Sequence, residues 1–316
     1  MSRIIIIVVV FLVASAVIQG LDQFFKKSFK TNKVVAPSIA SYPWVILPGF
    51  GNDAIDYCNP LNNGYEGSLK ASLESRGIEN VEIVNIKRTA WLNIARAIFS
   101  LEFWRNECKP ENLFEFYFRE VDQTVKALQE KHSKPVILVG HSAGGWLARA
   151  ILADGKWLGQ KDGDESSDLV LGVVTLGAPH FPPVASAMCM TRGALKYVDT
   201  EFPGSYLKQQ QGLFYITVGG SAVEGDVTAP EGSIQVFASN SYRQVTGRMD
   251  GVEEAGDGVV PLSTAHLDGA TQITIPEAWH SIQAPSNNWY GGSDKIVDKW
   301  FPTVMKAVEK SVASKK

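Results

Sequence analysis

Residues 140–144 (GHSAG) fit the pattern G-x-S-x-G, which is typical of a serine nucleophile held at a sharp turn between a strand and a helix. The apolar run at residues 135–139 predicts a buried strand before this turn, and residues 143–153 have helical character after it. Such a reversal strains the backbone of Ser142, and a side chain at position 140 or 144 would collide with the neighbouring chain. The segment therefore predicts that the hydroxyl group of Ser142 is exposed near a helix N-terminus, whose dipole favours developing negative charge.

A serine that acts as a nucleophile needs a base to take its proton, and the base needs an acid to orient it. In this arrangement the acid follows the serine along the chain and the histidine follows the acid. His280 lies just beyond the last predicted strand, from which an imidazole can reach the turn, and we expect it to be the base. The alternative is His266, which is predicted to start or cap a helix. His180 precedes the expected acid in the chain, so we expect it to be a hydrogen-bonded structural residue.

Asp257 is the expected acid, because the glycines on either side of it let the loop turn tightly and the following Val-Val-Pro can anchor the loop against the core. Its carboxylate would fix the tautomer of His280 and stabilise the imidazolium that forms when Ser142 gives up its proton. Three acidic residues in the same stretch are alternatives, although a solvated charged loop is the simpler interpretation of them: Asp250, Glu253 and Glu254.

A tetrahedral oxyanion needs hydrogen-bond donors that are already in position. The residue after the nucleophile supplies one backbone donor in this arrangement, which is here the N–H of Ala143. The second donor is expected in the glycine-rich loop at residues 48–51 (PGFG). We expect it to be the N–H of Phe50, with Gly51 as the alternative.

Strand and helix patterns alternate along the chain and must position these residues. Short apolar runs predict strands at residues 42–47, 81–86, 135–139, 169–176, 213–218 and 271–275. Helical spacing predicts helices at residues 111–131, 143–153 and 297–312. This alternation predicts an α/β fold with a mostly parallel, doubly wound sheet and helices on both faces. The active residues would then lie on loops beyond the carboxyl ends of the strands.

Two stretches interrupt the alternating pattern, at residues 87–110 and 181–211, and either could form a small cap-like insertion over a pocket. Four apolar residues of the first stretch are spaced by three or four positions and predict one face of a helix: Trp91, Ile94, Ile98 and Leu101. This spacing makes residues 91–104 the best candidate for a lid.

Four tryptophans are candidates for the rim of a substrate pocket: Trp146, Trp91, Trp104 and Trp279. Aromatic side chains at such positions also serve as ordinary core residues, and the sequence does not separate the two roles. It does not specify the acyl length or the head group of a substrate either.

Four motifs together resemble those of the lipase-like α/β-hydrolases: LPGFG at residues 47–51, GHSAGGWLAR at 140–149, TLGAPH at 175–180 and GDGVVP at 256–261. With WYG at residues 289–291, the combination is most similar to plant and algal proteins related to the α/β domain of GPI inositol-deacylase. The resemblance covers about residues 42–305. It implies an α/β-hydrolase fold and carboxylic-ester hydrolysis through an acyl-enzyme, with a lipid as the expected substrate and without a metal or organic cofactor.

GPI inositol-deacylases carry several transmembrane helices after the hydrolase domain, whereas this sequence has none there. We therefore expect a soluble lipase or esterase. The alternatives are a membrane-associated enzyme similar to GPI inositol-deacylase and a binding protein that has the fold without the catalysis. A thioesterase or an acyltransferase would use the same three residues.

The chain has 316 residues, of which 45% are hydrophobic and 20% are charged, and its formal net charge is −3. This size favours one α/β domain at residues 41–312 after an N-terminal tail. The net charge gives no electrostatic reason to expect nucleic acid as a partner, whereas peripheral contact with a membrane is compatible with it. The three cysteines have no metal-ligand spacing, and an odd number of them cannot all pair within the chain: Cys58, Cys108 and Cys189. The oligomeric state is not specified.

The N-terminal residues predict entry into the endomembrane system. One basic residue, Arg3, precedes an apolar run at residues 4–13 and an A-x-A site at residues 14–16. Residues 1–20 are therefore expected to be a signal peptide or, alternatively, an uncleaved membrane anchor. Residues 21–40 are rich in lysine and predict a basic linker or a transit-like segment. The expected destination is a plastid, the endoplasmic reticulum or the outside of the cell.

Overall fold

A computed structural model describes residues 37–159, 168–184, 189–206, 208, 212–248 and 253–314 of the chain. The strands within these residues are β1 (Trp44–Leu47), β2 (Val81–Ile83), β3 (Val136–His141), β4 (Val170–Leu176), β5 (Phe214–Gly220), β6 (Val223–Glu224), β7 (Ala255–Gly256) and β8 (Thr271–Ile275). The α-helices are α1 (Pro37–Ala40), α2 (Leu69–Glu74), α3 (Leu101–Arg105), α4 (Pro110–His132), α5 (Ala143–Ala153), α6 (Ala194–Glu201), α7 (Ile234–Thr246), α8 (Leu262–Ala265) and α9 (Asp294–Ser314).

In the described part of the chain, six strands form one sheet in the order β2-β1-β3-β4-β5-β8, and every neighbouring pair is parallel. In its register, Ile137 of β3 lies between Trp44 of β1 and Gly172 of β4. β6 and β7 form a separate antiparallel pair. Because the main strands are parallel, their carboxyl ends meet at one edge, which is where the site is built. The predicted parallel α/β sheet is confirmed.

The sheet separates two hydrophobic cores, and the side chains of each strand alternate between them. In β1, Val45 and Leu47 pack with the buried faces of α4 and α5. Trp44 and Ile46 point the opposite way and pack with α2 and α9. The predicted arrangement with helices on both faces is therefore confirmed, and burial on both faces explains the nearly continuous apolar runs of the strands.

Each predicted strand and helix is present, with boundaries that differ by a few residues, whereas several observed elements were not predicted. β2 ends at Ile83 rather than at Ile86, because the chain leaves the sheet there while Val84 and Ile86 remain buried in the core. Four helices were not predicted: α1, α2, α6 and α7. The buried residues of α7 are small or polar and give little hydrophobic periodicity: Ala238, Ser239, Tyr242 and Thr246. Strands of two residues, such as β6 and β7, are too short to leave a pattern.

The first insert folds as a 3₁₀ helix, Arg88–Phe99, followed directly by α3. A 3₁₀ helix has three residues per turn, so Trp91, Ile94 and Ala97 face inward. Trp91 and Ala97 are buried and Ile94 packs partly against the core. The predicted apolar face, which assumed 3.6 residues per turn, is therefore wrong: Ile98 and Leu101 are exposed.

The predicted signal peptide or anchor at residues 1–20 lies outside the described residues, as does the predicted basic segment up to residue 36. Among the helices that are described, none combines the length and the apolar character needed to cross a bilayer.

Candidate active site

Ser142 occupies the turn between β3 and α5 with a backbone φ of 53° and ψ of −125°, a combination that non-glycine residues rarely adopt. Its N–H donates to the carbonyl oxygen of Leu176 at 2.9 Å, which ties the turn to the end of β4. α5 begins at Ala143, so the serine lies at the positive end of the helix dipole. The predicted position of Ser142 between a strand and a helix, with a strained backbone, is confirmed.

The glycines of the turn are required by close approaches of the backbone. A Cβ atom at Gly140 would lie 2.5 Å from the carbonyl carbon of Gly144, and one at Gly144 would lie 2.2 Å from the carbonyl oxygen of Leu47. The predicted collisions are therefore confirmed. A Cβ atom at Gly49 would lie 2.8 Å from the Cβ of Ser142, so the PGFG loop lies directly against the serine.

The structure brings the imidazole of His280 between the side chains of Ser142 and Asp257. Its Nε2 lies 3.0 Å from the hydroxyl oxygen of Ser142, and its Nδ1 lies 2.8 Å from Oδ2 of Asp257. The backbone N–H of His280 also donates to the carbonyl oxygen of Asp257 at 2.9 Å. An imidazole held in this way can accept the hydroxyl proton while the carboxylate stabilises the resulting positive charge.

The carboxylate of Asp257 is 1% exposed and accepts four hydrogen bonds. Its Oδ1 accepts from the backbone N–H groups of Val259 and Val260 at 3.0 and 2.7 Å. Its Oδ2 accepts from His280 and, at 2.8 Å, from the hydroxyl group of Tyr290. A buried carboxylate requires this degree of hydrogen bonding, and the four donors supply it.

Tyr290 was not predicted from the residues as part of the site. Its hydroxyl oxygen accepts from the N–H of Gly220 at 2.7 Å, at the end of β5, while its hydrogen goes to Asp257. Burial, followed by the neighbouring charge of Asp257, raises the pKa of this phenol well above its usual value, so it remains a donor. The sequence signal for Tyr290 was the WYG motif at residues 289–291, which indicated a family resemblance but no role for the tyrosine.

His141 links the PGFG loop to the loop of His280. The hydroxyl oxygen of Tyr57 accepts from the N–H of Gly49 and from the amide of Asn52, both at 2.8 Å. Its hydrogen is therefore directed to Nδ1 of His141 at 2.9 Å, which leaves Nε2 of that ring to donate to the carbonyl oxygen of His280 at 3.1 Å. Burial and the nearby His280 lower the pKa of His141 to about 3, so its ring is neutral.

The two residues expected to supply oxyanion donors line the same cavity as Ser142. In the described part of the chain, the backbone N–H groups of Phe50 and Ala143 have no hydrogen-bond acceptor. The N–H of Gly49 is taken by Tyr57, so Gly49 does not compete with Phe50 for this role. Gly51, the alternative, has a left-handed φ of 75°.

A cavity of about 460 Å³ opens at Ser142 and His280. Most of its lining is apolar, including Phe50, Phe114, Trp146, Phe181 and Leu195. Ile94 comes from the first insert, and several lining residues come from the second: Phe181, Pro183, Met190, Thr191 and Leu195. The space beside the hydroxyl group of Ser142 is therefore suited to a hydrocarbon group rather than a charged one.

The second insert is attached through the buried guanidinium group of Arg149 on α5. Arg149 donates to the carbonyl oxygens of Phe202 and His180 at 2.6 and 3.2 Å, and it lies 3.6 Å from a carboxylate oxygen of Asp199. Phe202 directly follows α6, which carries Leu195, so Arg149 helps to hold this wall of the cavity to the sheet domain, together with the packing of Leu195 and Val198 in the main core.

A sequence profile described as the alpha/beta hydrolase family matches residues 45–313, which is most of the chain. The chain belongs to this family. No curated protein matches this α/β-hydrolase in sequence.

Solved structures resemble this α/β-hydrolase in fold. Phospholipase PlaB from Legionella pneumophila matches with a TM-score of 0.51 and 10% identity, over 85% of this chain and 60% of that one. The mature lipase BlEst2 of Bacillus licheniformis matches with a TM-score of 0.44 and 17% identity, over 87% and 95% of the two chains. At these identities the similarity extends to the fold alone.

Of the four tryptophans expected at the rim of a pocket, Trp146 lines the cavity and the other three do not. Trp91 is buried behind the PGFG loop, where its ring packs 5.1 Å from that of Phe50 and its indole N–H donates to the carbonyl oxygen of Asn52. Trp104 is 68% exposed on α3. Trp279 packs with the small core between β6 and α7 instead.

The alternative acids and bases have other partners. His266 caps the C-terminus of α8 and contacts the hydroxyl groups of Thr217 and Thr274 at 3.1 and 2.9 Å. His180 is buried and contacts Thr175 at 3.1 Å, as expected of a structural histidine.

Among the acids, Glu254 accepts from Ser263 and pairs with Arg248, and Glu253 is exposed. Asp250 lies outside the described residues. Within the described residues, no group of histidine, cysteine and acidic side chains could hold a metal ion.

Proposed function

We propose that this protein is a carboxylic-ester hydrolase of the lipase or esterase type, in which Ser142 attacks the ester carbonyl. The observation that carries the proposal is the relay through His280, which contacts Ser142 at 3.0 Å and Asp257 at 2.8 Å at the mouth of an apolar cavity. Simpler residues could perform any purely structural task of these three side chains. It is the arrangement that activates a hydroxyl group as a nucleophile.

In the proposed reaction, Nε2 of His280 takes the proton of Ser142 as its oxygen bonds to the carbonyl carbon. The carbonyl oxygen becomes an oxyanion that accepts from the N–H groups of Phe50 and Ala143. His280 then gives the proton to the leaving alcohol, and the acyl group remains on Ser142. Water then repeats the cycle: His280 takes a proton from water as the water oxygen bonds to the acyl carbon, and the N–H groups again stabilise the oxyanion. The bond between the acyl carbon and the oxygen of Ser142 breaks, His280 returns its proton to that oxygen, and the carboxylic acid leaves.

The cavity supports an acyl chain as the group that binds beside the serine. Its volume of about 460 Å³ and its largely apolar lining favour a hydrocarbon over a sugar or a peptide. We therefore propose a glycerolipid or a simple fatty-acid ester as the substrate. A GPI-linked acyl-inositol remains the second candidate, and its support is the motif resemblance, since no match reported above is a GPI inositol-deacylase.

A fluorophosphonate probe, which reacts with activated serines, tests the nucleophile. We expect it to label the wild-type protein and to fail with Ser142→Ala and His280→Ala, while the circular dichroism of each variant stays native. Ser281→Ala is the matched control, because Ser281 lines the same cavity and its hydroxyl oxygen contacts Gln283 instead of His280. Persistent labelling of Ser142→Ala would refute the assignment.

A substrate panel tests the reaction. It would contain p-nitrophenyl esters of increasing length, glycerolipids, an acyl-inositol and an acyl thioester, and it would be repeated with an added alcohol as the acyl acceptor. We expect hydrolysis of the esters and a fall of at least about 10³-fold in kcat for Ser142→Ala. A labelled protein that turns over only thioesters, or that only transfers acyl groups to alcohols, would replace the proposed activity by one of those two.

A further inference from the structure

The first insert exposes an unusual number of large apolar side chains. Between residues 92 and 104, five of them are at least 40% exposed: Leu92 (73%), Ile98 (40%), Phe99 (89%), Leu101 (67%) and Trp104 (68%). Single exposed hydrophobic residues are ordinary on a protein surface, whereas such a concentration marks a surface that meets another phase or partner. We refer to these five residues as the apolar insert surface.

The exposed residues are held in place and cannot simply fold inward. The 3₁₀ helix already directs Trp91, Ile94 and Ala97 toward the core, so no inward position remains for Leu92 or Ile98. At the next turn, the hydroxyl oxygen of Ser100 caps α3 by accepting from the N–H of Phe103. The apolar insert surface is therefore a built feature of the fold.

Two further contacts hold α3 in place and satisfy the polar atom of its exposed tryptophan. The guanidinium group of Arg192 lies 4.5 Å from the centre of the Phe103 ring and joins the two inserts. The indole N–H of Trp104 donates to the carbonyl oxygen of Ile98 at 2.8 Å, so its polar atom is satisfied while its ring stays exposed. An indole in this state can enter an apolar phase without losing a hydrogen bond.

The same segment is positively charged, although the protein as a whole carries −3. Residues 87–109 contain five basic and two acidic side chains, which gives the segment a formal charge of +3. Lys87 and Arg88 pair with Asp53 and Asp56. In the described part of the chain, the exposed guanidinium groups of Arg96 and Arg105 have no carboxylate partner. Phe, Trp and Leu mixed with unpaired arginines are the composition of surfaces that lie in the headgroup region of an anionic bilayer.

The surface continues toward the mouth of the cavity. Ile94, on the same 3₁₀ helix, lines the cavity, and two further lining residues are themselves more than half exposed: Phe50 (56%) and Met190 (61%). We propose that the apolar insert surface docks this protein on an anionic lipid bilayer. If the proposed function holds, docking also brings ester bonds of the bilayer close to Ser142; this part of the inference rests on that function.

The test uses the full-length protein and vesicles of phosphatidylcholine with and without phosphatidylglycerol. Hydrogen–deuterium exchange localises the contact, and the readout is the exchange of residues 95–105. We expect vesicles that contain phosphatidylglycerol to slow this exchange by about tenfold, with little effect of phosphatidylcholine alone. Because the readout is local, binding through any other part of the chain is not counted as support.

The variants separate the apolar and the charged contributions. Phe99→Ser with Leu101→Ser should remove the protection and lower vesicle partitioning by at least about tenfold. Arg96→Gln and Arg105→Gln should each weaken binding to the anionic vesicles by about fivefold. Phe237→Ser is the matched control, since Phe237 is 58% exposed on α7, and it should bind as the wild type does.

Failure of the docking and failure of the hydrolase proposal can be told apart. Ser142→Ala should bind vesicles normally, and the Phe99→Ser, Leu101→Ser variant should hydrolyse monomeric soluble esters normally. The docking proposal is overturned if the wild-type protein does not bind anionic vesicles, if it binds them without protecting residues 95–105, or if the double variant stays protected. None of these results bears on turnover of soluble esters.

Discussion

Tyr290 and His280 bind the same carboxylate oxygen, Oδ2 of Asp257, each at 2.8 Å. The phenol approaches from the end of β5, where it also accepts the N–H of Gly220, and the imidazole approaches from the loop after β8. Asp257 therefore has one fixed orientation, with Oδ1 held by backbone N–H groups and Oδ2 shared by two side chains. Tyr290 therefore helps to fix the orientation of Asp257, and in the proposed mechanism it is a positioning residue.

We expect Tyr290→Phe to lower kcat/KM for a soluble ester by about tenfold and the free energy of unfolding by about 1–3 kcal/mol, because it removes two buried hydrogen bonds and leaves the N–H of Gly220 without its acceptor. Tyr215→Phe is the control, since Tyr215 is fully buried and its hydroxyl group has no partner among the described residues. That change should alter neither quantity by much. Equal effects of the two substitutions would show that Tyr290 acts only as a core residue.

The neutral ring of His141 predicts a loss of stability in acid. Burial lowers its pKa from 6.5 to about 3 in the folded protein, so the unfolded chain binds a proton that the folded one does not between these values. The contribution of His141 to the free energy of unfolding is fully present above pH 6.5 and is lost as the pH falls toward 3. At pH 5 the loss from this residue is about 2 kcal/mol relative to pH 7.

Urea unfolding of His141→Asn at pH 7 and pH 5 measures this contribution. The variant should be less stable than the wild type at pH 7, because Tyr57 and the carbonyl oxygen of His280 lose their partner. It should also lose about 2 kcal/mol less than the wild type between the two pH values. A change in stability between pH 7 and pH 5 that is as large in His141→Asn as in the wild type would contradict the argument.

Gly144→Ala tests the close approach of the nucleophile turn to β1. Its Cβ would lie 2.2 Å from the carbonyl oxygen of Leu47, so a backbone atom must move. We expect a loss of at least about 3 kcal/mol in the free energy of unfolding, together with loss of fluorophosphonate labelling. In Gly155→Ala the new Cβ meets open space, and only the left-handed φ of 72° is unfavourable, which costs about 1 kcal/mol. Similar losses of stability in Gly144→Ala and Gly155→Ala would exclude the contact with Leu47 as the cause.

Ile94→Trp tests which surface of the 3₁₀ helix faces the cavity. The larger side chain should fill part of the cavity and lower kcat/KM for long-chain esters by about tenfold relative to acetate esters. Leu92→Trp makes the same kind of change on the exposed surface of the same helix and should leave the chain-length profile unchanged. Substrates must stay monomeric in solution, so that contact with a lipid surface does not enter the comparison.

The sequence was sufficient to predict the sheet and the position of the nucleophile, because both depend on local patterns. Buried strands of β3 and β4 need apolar runs, and the turn at Ser142 needs glycines where the backbone approaches itself. His280 and Asp257 could be chosen by chain order, and the structure brings their side chains together with Ser142. Their catalytic roles remain predictions until the variants above are measured.

Other parts of the site depend on contacts that no local pattern encodes. Tyr57 meets His141 across 84 positions of the chain, and a tyrosine outside any motif gives no signal of that meeting. The tryptophans were selected by residue type alone, so Trp91, Trp104 and Trp279 could not be distinguished from Trp146. The first insert was read with the period of an α-helix, and its 3₁₀ geometry reversed the exposure of Ile98.

The attachment of the second insert through Arg149 separates two properties of this fold. Ser142, His280 and Asp257 are fixed by the sheet and its loops, whereas the wall containing Leu195 belongs to an insert that Arg149 and core packing attach from outside the sheet. Changes in the length or composition of that wall can therefore accumulate without altering the contacts among these three side chains. Under the proposed function, a scaffold divided in this way would acquire new substrate preferences while the chemistry at Ser142 is preserved.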